Sequence, residues 1–181
     1  MKSMIFILSL MLPSLSYSAQ SAYIDLIQQA LDKQPPLCLG ESQWPVSMAE
    51  KEYVWVYSRM AALMEAGLVT DKSPSATKQW SLTPLGEKEF KKKNDFCYGK
   101  MKINKIEQQI HNNDGTVSVI FDYRIENLAR WAQTPSIRGA YTDLDNLVTG
   151  IKNAHYQADF SPQADGVITI IGEPYQLDLF Y

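Results

Sequence analysis

Hydrophobic and polar positions follow two different periods along the chain, and the period changes near residue 96. Upstream, apolar residues recur every three to four positions, which is typical of amphipathic helices. Downstream they alternate, which is typical of strands with one buried face. Residues 22–33 place Tyr23, Ile27 and Leu31 on one side, which predicts a helix ended by the following Pro-Pro pair. The pattern therefore predicts an α+β protein whose second half is an antiparallel sheet with short helices.

A second helix is predicted over residues 47–66, where apolar positions again recur at helical spacing. Ser47 is expected to cap its start, with Glu50 completing a capping box, and Gly67 is expected to follow its end. Two strand-like segments, LVT and QWSLT, flank the polar turn that comes next. Thr83 is expected to cap a third helix, which opens with a proline.

The second half contains four segments that are predicted to be strands. The first two, YGKMKINKIEQQI and TVSVIFDYRI, are joined by a turn that contains Asp114 and Gly115. ENLARWAQTP is predicted to form a short helix or turn that ends before Pro135. The other two strand segments are NLVTGIKNAHYQADF and DGVITIIG, with SPQADG as the hairpin loop between them.

The segment MAALMEAGLVT, followed by a polar loop and WSLTPLGEKEF, resembles the winged-helix family. In that family a recognition helix ends in a Gly-Leu-Val strand and a hairpin wing follows. A leucine-threonine strand then opens the last helix. The resemblance covers roughly residues 22–93 and implies a winged-helix-like first half.

A winged-helix resemblance suggests DNA binding, which needs several cations on one face of the recognition helix. The predicted recognition helix carries Lys51 and Arg59, but also Glu50, Glu52 and Glu65. We therefore expect no nucleic-acid partner and interpret this half as a reused scaffold.

The stretch from YGKMKINKI through VIFDYRIENLARWAQTPSIRGAY is similar, at a looser level, to small exported or lipoprotein families of bacteria. Those families couple a winged-helix-like half to a β-rich half, and the resemblance implies no particular activity. The predicted domains are a signal peptide over residues 1–19, a winged-helix-like domain over 20–95 and a β-rich α+β domain over 96–181.

The first residues have the composition of a secretory signal peptide. Lys2 supplies a positive charge, residues 4–12 form an apolar run, and Pro13 breaks it. Small residues follow, so cleavage is expected near Ser18 or Ala19 and the mature protein is expected in the periplasm. A buried N-terminal helix is the alternative. No later segment of the sequence is long and apolar enough to predict a membrane span.

The composition is that of a globular protein, with 181 residues of which 45% are hydrophobic, and a formal net charge of −3. Lysines are concentrated between residues 87 and 105, while the C-terminal half is acidic. The lysine-rich belt is interpreted as a solvated helix end, and a surface for an acidic partner is the alternative.

The chain has two cysteines, Cys38 and Cys97, each within a similar short motif (LCLGE and FCYGK). An even pair in an exported protein predicts a disulfide. Free buried thiols and a metal site are the alternatives, and His111 and His155 are the only histidines that could join such a site. No cofactor or metal is expected.

Aromatic residues offer the clearest candidate surface. In YVWVY, Tyr53 and Tyr57 share one helix face and Trp55 points elsewhere. Packing of the second half over this helix is the favoured interpretation, and an exposed patch that binds a partner or ligand is the alternative. Trp131 is expected to cover the second sheet as a lid.

Three arginines of the second half, Arg124, Arg130 and Arg138, are expected near Trp131 and could bind a carboxylate. Together with Trp55 and Trp131 they form the predicted ligand or partner surface. Neither histidine lies in a catalytic motif, so no catalytic residue is assigned and the protein is not expected to be an enzyme.

These observations favour a non-catalytic periplasmic protein that binds another protein, of the immunity or inhibitor type. One alternative is a protein that sequesters a small molecule or antibiotic and confers self-resistance. Another is a hydrolase with its site between the two halves. The identity of the partner or ligand and the oligomeric state are not predicted.

Overall fold

The computed structural model describes residues 15–49, 54–73, 77–151 and 153–177. The helices in these ranges are α1 (Leu15–Lys33), α2 (Val54–Glu65), α3 (Pro84–Phe90), α4 (Pro135–Ala140) and α5 (Thr142–Gly150), with a 3₁₀ turn at Trp131–Gln133. The strands are β1 (Leu37–Cys38), β2 (Val46–Ala49), β3 (Val69–Asp71), β4 (Thr77–Leu82), β5 (Cys97–His111), β6 (Val117–Glu126), β7 (Tyr156–Pro162) and β8 (Ile168–Gln176). None of these helices is both long enough and apolar enough to cross a lipid bilayer.

The strands form two antiparallel sheets, which confirms the predicted α+β class. A curled five-stranded sheet has the order β1-β5-β6-β7-β8, and a three-stranded sheet has the order β2-β4-β3. The turn between β5 and β6 forms where Asp114 and Gly115 predicted it, and Gly115 adopts a φ of +85° there. β5 and β6 are the longest of the described strands, and their hairpin pairs with β1 on one side and with β7 on the other.

The larger sheet has one face on the core and one face toward solvent. Alternate residues of β6 are buried, as the sequence pattern predicted, with Val119 and Phe121 fully covered. α1 lies across this inner face against β5 and β8. The Tyr23 ring of α1 contacts the ring of Phe160 with centroids 4.8 Å apart, so the predicted apolar face of α1 is confirmed.

The smaller sheet packs with α2 and α3. Thr83 caps α3 as predicted, because its side-chain oxygen accepts a hydrogen bond from the Gly86 amide at 3.0 Å. Gly86 is buried against the backbone of Leu68, which brings α3 close to the start of β3. The order of strand, helix, hairpin and helix follows the predicted one, and the winged-helix assignment itself stays a prediction.

Two predicted element types are wrong. Ser47 does not cap a helix; it lies in β2, which pairs with β4, and α2 begins at Val54. Pairing with β4 supplies hydrogen-bond partners to the backbone of residues 46–49, and Glu50 lies outside the described residues. The NLVTG part of a predicted strand belongs to α5, where Leu144 is buried and Asp143 lies in the first turn of the helix.

The predicted domain boundary between residues 95 and 96 stays a prediction, but contacts cross it. α1 and β1 precede the boundary, yet α1 packs against β5 and β1 pairs with β5. Of the predicted signal peptide, residues 1–14 lie outside the described residues, and the expected cleavage near Ser18 or Ala19 falls within α1. Cleavage there would keep Tyr23, a buried residue of α1, in the mature chain.

Candidate functional site

A disulfide joins Cys38 to Cys97, with an S–S distance of 2.05 Å, which confirms the predicted bridge. The two residues are directly opposite each other in the β1–β5 pair, and their Cα atoms are 3.8 Å apart. The bridge therefore anchors the start of the loop that follows β1 to the start of the longest strand.

The loop after β1 is held by the carboxylate of Asp95. That carboxylate accepts hydrogen bonds from the amides of Gly40 at 2.9 Å, Glu41 at 3.0 Å and Phe96 at 2.6 Å. Gly40 has a φ of +81°, a conformation that favours glycine, and it lets the loop turn toward Asp95. The Trp44 indole also donates to the Glu41 carbonyl at 2.9 Å, so both the amide and the carbonyl of Glu41 are hydrogen-bonded.

The loop presents Glu41 to Arg59 of α2 and to Tyr141 at the start of α5. The Glu41 carboxylate accepts a hydrogen bond from the Tyr141 hydroxyl at 3.0 Å and lies 3.4 Å from the Arg59 guanidinium. That guanidinium lies over two aromatic rings, 4.8 Å from the Trp55 centroid and 5.1 Å from the Tyr141 centroid. Contact with both rings adds cation–π attraction.

Burial governs the ionisation of this cluster. It raises the pKa of Glu41 above its usual value, against the lowering effects of the Tyr141 hydrogen bond and of Arg59, while nearby Asp95 raises it further. Burial and the Glu41 carboxylate also raise the pKa of Tyr141 well above that of an exposed tyrosine. Tyr141 therefore remains a hydrogen-bond donor throughout the physiological pH range.

Two clefts meet at Arg59. The smaller has a volume of about 260 Å³ and lies beside the disulfide; it is lined by Cys38, Leu39, Arg59, Ala140, Tyr141, Thr142, Asp143 and Leu144. The larger, named here the α2 groove, has a volume of about 430 Å³ and is lined by Gly40, Glu41, Ser42, Gln43, Val46, Ser47, Met48, Trp55, Val56, Arg59 and Met60. The lining of the α2 groove combines apolar side chains with one acid and one base.

The N-terminal end of α2 exposes apolar side chains at the mouth of the α2 groove. Val54 is 85% exposed and Trp55 is 56% exposed. Tyr57, two positions later, instead packs against Trp80 with ring centroids 5.2 Å apart. The favoured expectation was that the second half of the chain would pack over α2 and cover Trp55. α4 does pack against α2, but Trp55 stays exposed, so the expectation is wrong for this residue. Tyr53 lies outside the described residues.

Trp131 does not belong to an exposed surface. It is buried, and its ring contacts Phe96 with centroids 6.0 Å apart, so it is part of the core rather than a lid open to a ligand. The short apolar segment around it forms the 3₁₀ turn, with Ala132 also buried. The sequence alone did not distinguish a tryptophan in the core from one on a surface.

The three predicted arginines do not line either cleft at Arg59. Arg138 donates to the Asp145 carboxylate at 2.5 Å and to the Thr149 hydroxyl at 2.7 Å, so its guanidinium is already bound. Arg124 lies 3.9 Å from the Glu126 carboxylate on the outward face of the sheet, and Arg130 is exposed. Of the residues predicted to form the ligand or partner surface, Trp55 is the one that lines a cleft at Arg59.

The lysine-rich belt is largely neutralised by ion pairs. Its pairs are Lys91 with Glu87, Lys92 with Glu89, Lys100 and Lys102 with Asp32, and Lys105 with Glu107. Acidic side chains from the same or a neighbouring element thus face most of the cations, which favours the interpretation of a solvated surface over a docking surface for an acidic partner.

His111 and His155, which could contribute to chemistry, lie away from the clefts at Arg59. His111 is the last residue of β5, and His155 immediately precedes β7. Neither lines those two clefts. Within the described ranges, no group of three or more histidine, cysteine or acidic side chains could hold a metal ion.

Comparisons of the chain with protein-family models, with curated proteins and with solved structures find no match. The cluster of Glu41, Arg59 and Tyr141, named here the Arg59 cluster, is therefore interpreted from its own geometry. Sequence reasoning did not identify Glu41 or Tyr141 as part of it, because no local pattern links residues 100 positions apart.

Proposed function

We propose that this chain is a non-catalytic, exported binding protein that engages another protein through the α2 groove and the exposed end of α2. The observation that carries the proposal is the 56% exposure of Trp55 at the mouth of the groove, next to Val54 at 85%. Large exposed apolar side chains beside a concave surface are typical of sites that bind a partner.

The chemistry of this surface supports a protein partner. Tryptophan and arginine are the residues most enriched among those that dominate binding energy at protein interfaces, and here Trp55 and Arg59 are stacked together. The Glu41 carboxylate also contacts the Arg59 guanidinium at 3.4 Å. The surface is preorganised, which lowers the entropy lost when a partner binds.

The loop that forms one wall of the groove is also rigid. Asp95 binds its backbone and the disulfide anchors its start, so a partner would meet a preformed wall. The disulfide supports an oxidising compartment such as the periplasm, in agreement with the predicted signal peptide. A small rigid binding surface on an exported chain fits an immunity or inhibitor type of role.

Sequestration of a small molecule or antibiotic is the second candidate, and one observation favours it. The volume of the α2 groove, about 430 Å³, lies within the usual range for small-molecule sites. Val46, Met48 and Val56 would supply apolar contacts, while Glu41 and Arg59 would orient polar groups.

The test is partner capture by the exported protein from periplasmic extract, with Trp55→Ala compared with Leu85→Ala. Leu85 is 48% exposed on α3 and is a matched control for loss of exposed apolar area. Truncation of a dominant interface tryptophan should weaken binding of a stoichiometric partner by about 30-fold or more. The free energy of unfolding should be similar for both variants.

Retention of full binding by Trp55→Ala, or recovery of no stoichiometric partner by the unmodified protein, would count against a protein partner. A thermal-shift screen of small molecules on the same proteins separates the two candidates. A compound that stabilises the unmodified protein but not Trp55→Ala would favour sequestration, because a ligand that binds the native state raises its stability.

A further inference from the structure

Among the described residues, the β8 strand forms an open edge of the larger sheet. It is the last strand in the order β1-β5-β6-β7-β8 and pairs with β7 alone in the described part of the chain. The residues facing outward along this edge include Val167, 52% exposed, Thr169, and Ile171, 47% exposed. Natural edge strands are usually protected by charged side chains or proline, yet residues 167–171 (VITII) include neither.

Two glycines delimit the open segment. Gly166 has a φ of +83° in the turn before it, and Gly172 has a φ of +70° where the β7–β8 register shifts. β8 begins at Ile168, and from there to Ile171 the pairing is regular, with Ser161 opposite Thr169 and Phe160 opposite Ile170. Together with Val167, which directly precedes β8, these residues form the five-residue segment that is available to another strand.

Backbone direction along the segment follows from the pairing with β7. The Val167 carbonyl accepts from the Gln163 amide at 2.7 Å and so points toward the β7 side, while the Val167 amide donates to the Asp165 carboxylate at 3.1 Å. Because these groups alternate in direction along a strand, those of Ile168 and Ile170 point to the open side. Each of these two residues thus offers one amide and one carbonyl to an incoming strand.

The segment is symmetric about Thr169 in residue type. Val167 and Ile171 lie two positions on either side, and Ile168 and Ile170 lie one position on either side. We propose that β8 pairs antiparallel with β8 of a second copy of this chain, around a two-fold axis at Thr169. Ile168 of each copy then exchanges backbone hydrogen bonds with Ile170 of the other, and the two five-stranded sheets become continuous.

Side-chain complementarity favours a second copy over an unrelated strand. In this register Val167 faces Ile171, and Thr169 faces its own counterpart at a pair without backbone hydrogen bonds, where side chains are closest. β-branched and Thr–Thr pairs across strands are favourable. The charged residues nearest the segment, Asp165 and Glu173, would face each other only beyond its ends, so no like charges meet within it.

The proposal is tested by sedimentation equilibrium of the exported protein over micromolar to millimolar concentrations. The unmodified chain should show a reversible equilibrium between one and two copies. Thr169→Lys and Thr169→Glu should each raise the dissociation constant of the dimer by at least about tenfold, because each places like charges opposite one another at the axis. An equimolar mixture of the two variants should restore the dimer, since lysine then faces glutamate.

Ile110→Lys is the matched control. Ile110 is exposed on the same outward face but lies on β5, three strands from β8, so this variant should dimerise like the unmodified chain. A single-copy mass at all concentrations would overturn the proposal, as would open-ended assemblies. Unaltered dimerisation of both Thr169 variants, or failure of their mixture to restore the dimer, would also overturn it.

Discussion

The Tyr141 hydroxyl donates a hydrogen bond to the Glu41 carboxylate at 3.0 Å, across 100 positions of sequence. The bond links the loop after β1 to the start of α5, and Arg59 of α2 contacts both residues. Three elements that are distant in the chain thus meet at one mostly buried carboxylate. Because both clefts are lined by Arg59, a change that moves Arg59 would also alter the shape of the proposed binding surface.

Tyr141→Phe should destabilise the protein by about 1–2 kcal/mol, because it leaves a mostly buried carboxylate without its hydroxyl donor. The ring that stacks on Arg59 is retained, so the loss reports the hydrogen bond rather than the packing. The measurement is the free energy of unfolding in urea. Tyr156→Phe is the control, since that hydroxyl lies 3.5 Å from the Gln176 side chain and its loss should matter less. Equal effects for the two variants would contradict the assigned role of Tyr141.

Glu41→Gln should change how stability depends on pH. Burial raises the pKa of Glu41 above its ordinary value of 4.5, so the folded state binds the proton more tightly than the unfolded state. Stability from this group is therefore highest at low pH and falls as the pH rises from 4.5 through the raised pKa. The variant should lack this fall and should be at least as stable as the unmodified protein at pH 7.

Chemical denaturation at a series of pH values measures this effect. The two stability curves should converge below pH 4.5, where the unmodified Glu41 is protonated. Glu87→Gln, which removes a surface carboxylate of α3, controls for the loss of one acid. Parallel curves for Glu41→Gln and the unmodified protein across the interval would show that Glu41 is not the responsible group.

Reduction of the disulfide should lower the free energy of unfolding by about 4 kcal/mol, as chain entropy predicts for a bridge between residues 59 positions apart. Thermal unfolding with and without reductant measures the loss. The Cys38→Ala/Cys97→Ala double variant should resemble the reduced protein and should not respond to reductant. A reductant effect of the same size in the double variant would show that the loss has another origin.

Gly86→Ala should destabilise the protein by about 1–3 kcal/mol, the usual cost of overpacking. A Cβ atom at this position would overlap the carbonyl oxygen of Leu68, so α3 would have to move away from the start of β3. Gly139→Ala is the matched control, because a Cβ atom there meets no other atom within 4 Å. The control should be stabilising by up to about 1 kcal/mol, since alanine restricts the unfolded chain. Equal unfolding midpoints for both variants would contradict the close packing of α3.

Local patterns predicted the elements whose periodicity is unambiguous. The apolar face of α1, the β5–β6 hairpin and the Thr83 cap are each specified within a few neighbouring residues, and the structure confirms them. Where the local signal allowed two outcomes, tertiary pairing decided. Ser47 is a good helix cap in isolation, but residues 46–49 pair in register with β4 instead.

The candidate site shows the same division. Trp55 was singled out in YVWVY because residues two positions apart face different sides of a helix, but the favoured expectation that it would be covered was wrong. Trp131 was assigned to the same surface, yet its ring contacts Phe96 in the core. Trp55 lies in the apolar YVWVY and Trp131 directly follows Arg130, so local composition did not decide burial; the elements that pack over each tryptophan did.

The sequence by itself determined the α+β class, the principal helices and strands, and the disulfide partner of each cysteine, since the chain has only two. Periodicity and residue chemistry are local properties, so they are present in the sequence before the chain folds. Only the tertiary structure decided that Glu41, Arg59 and Tyr141 meet, that Trp55 stays exposed, and that β8 is left at the edge. Those outcomes depend on contacts between distant residues, which compete for the same buried space and leave no periodic trace in the sequence.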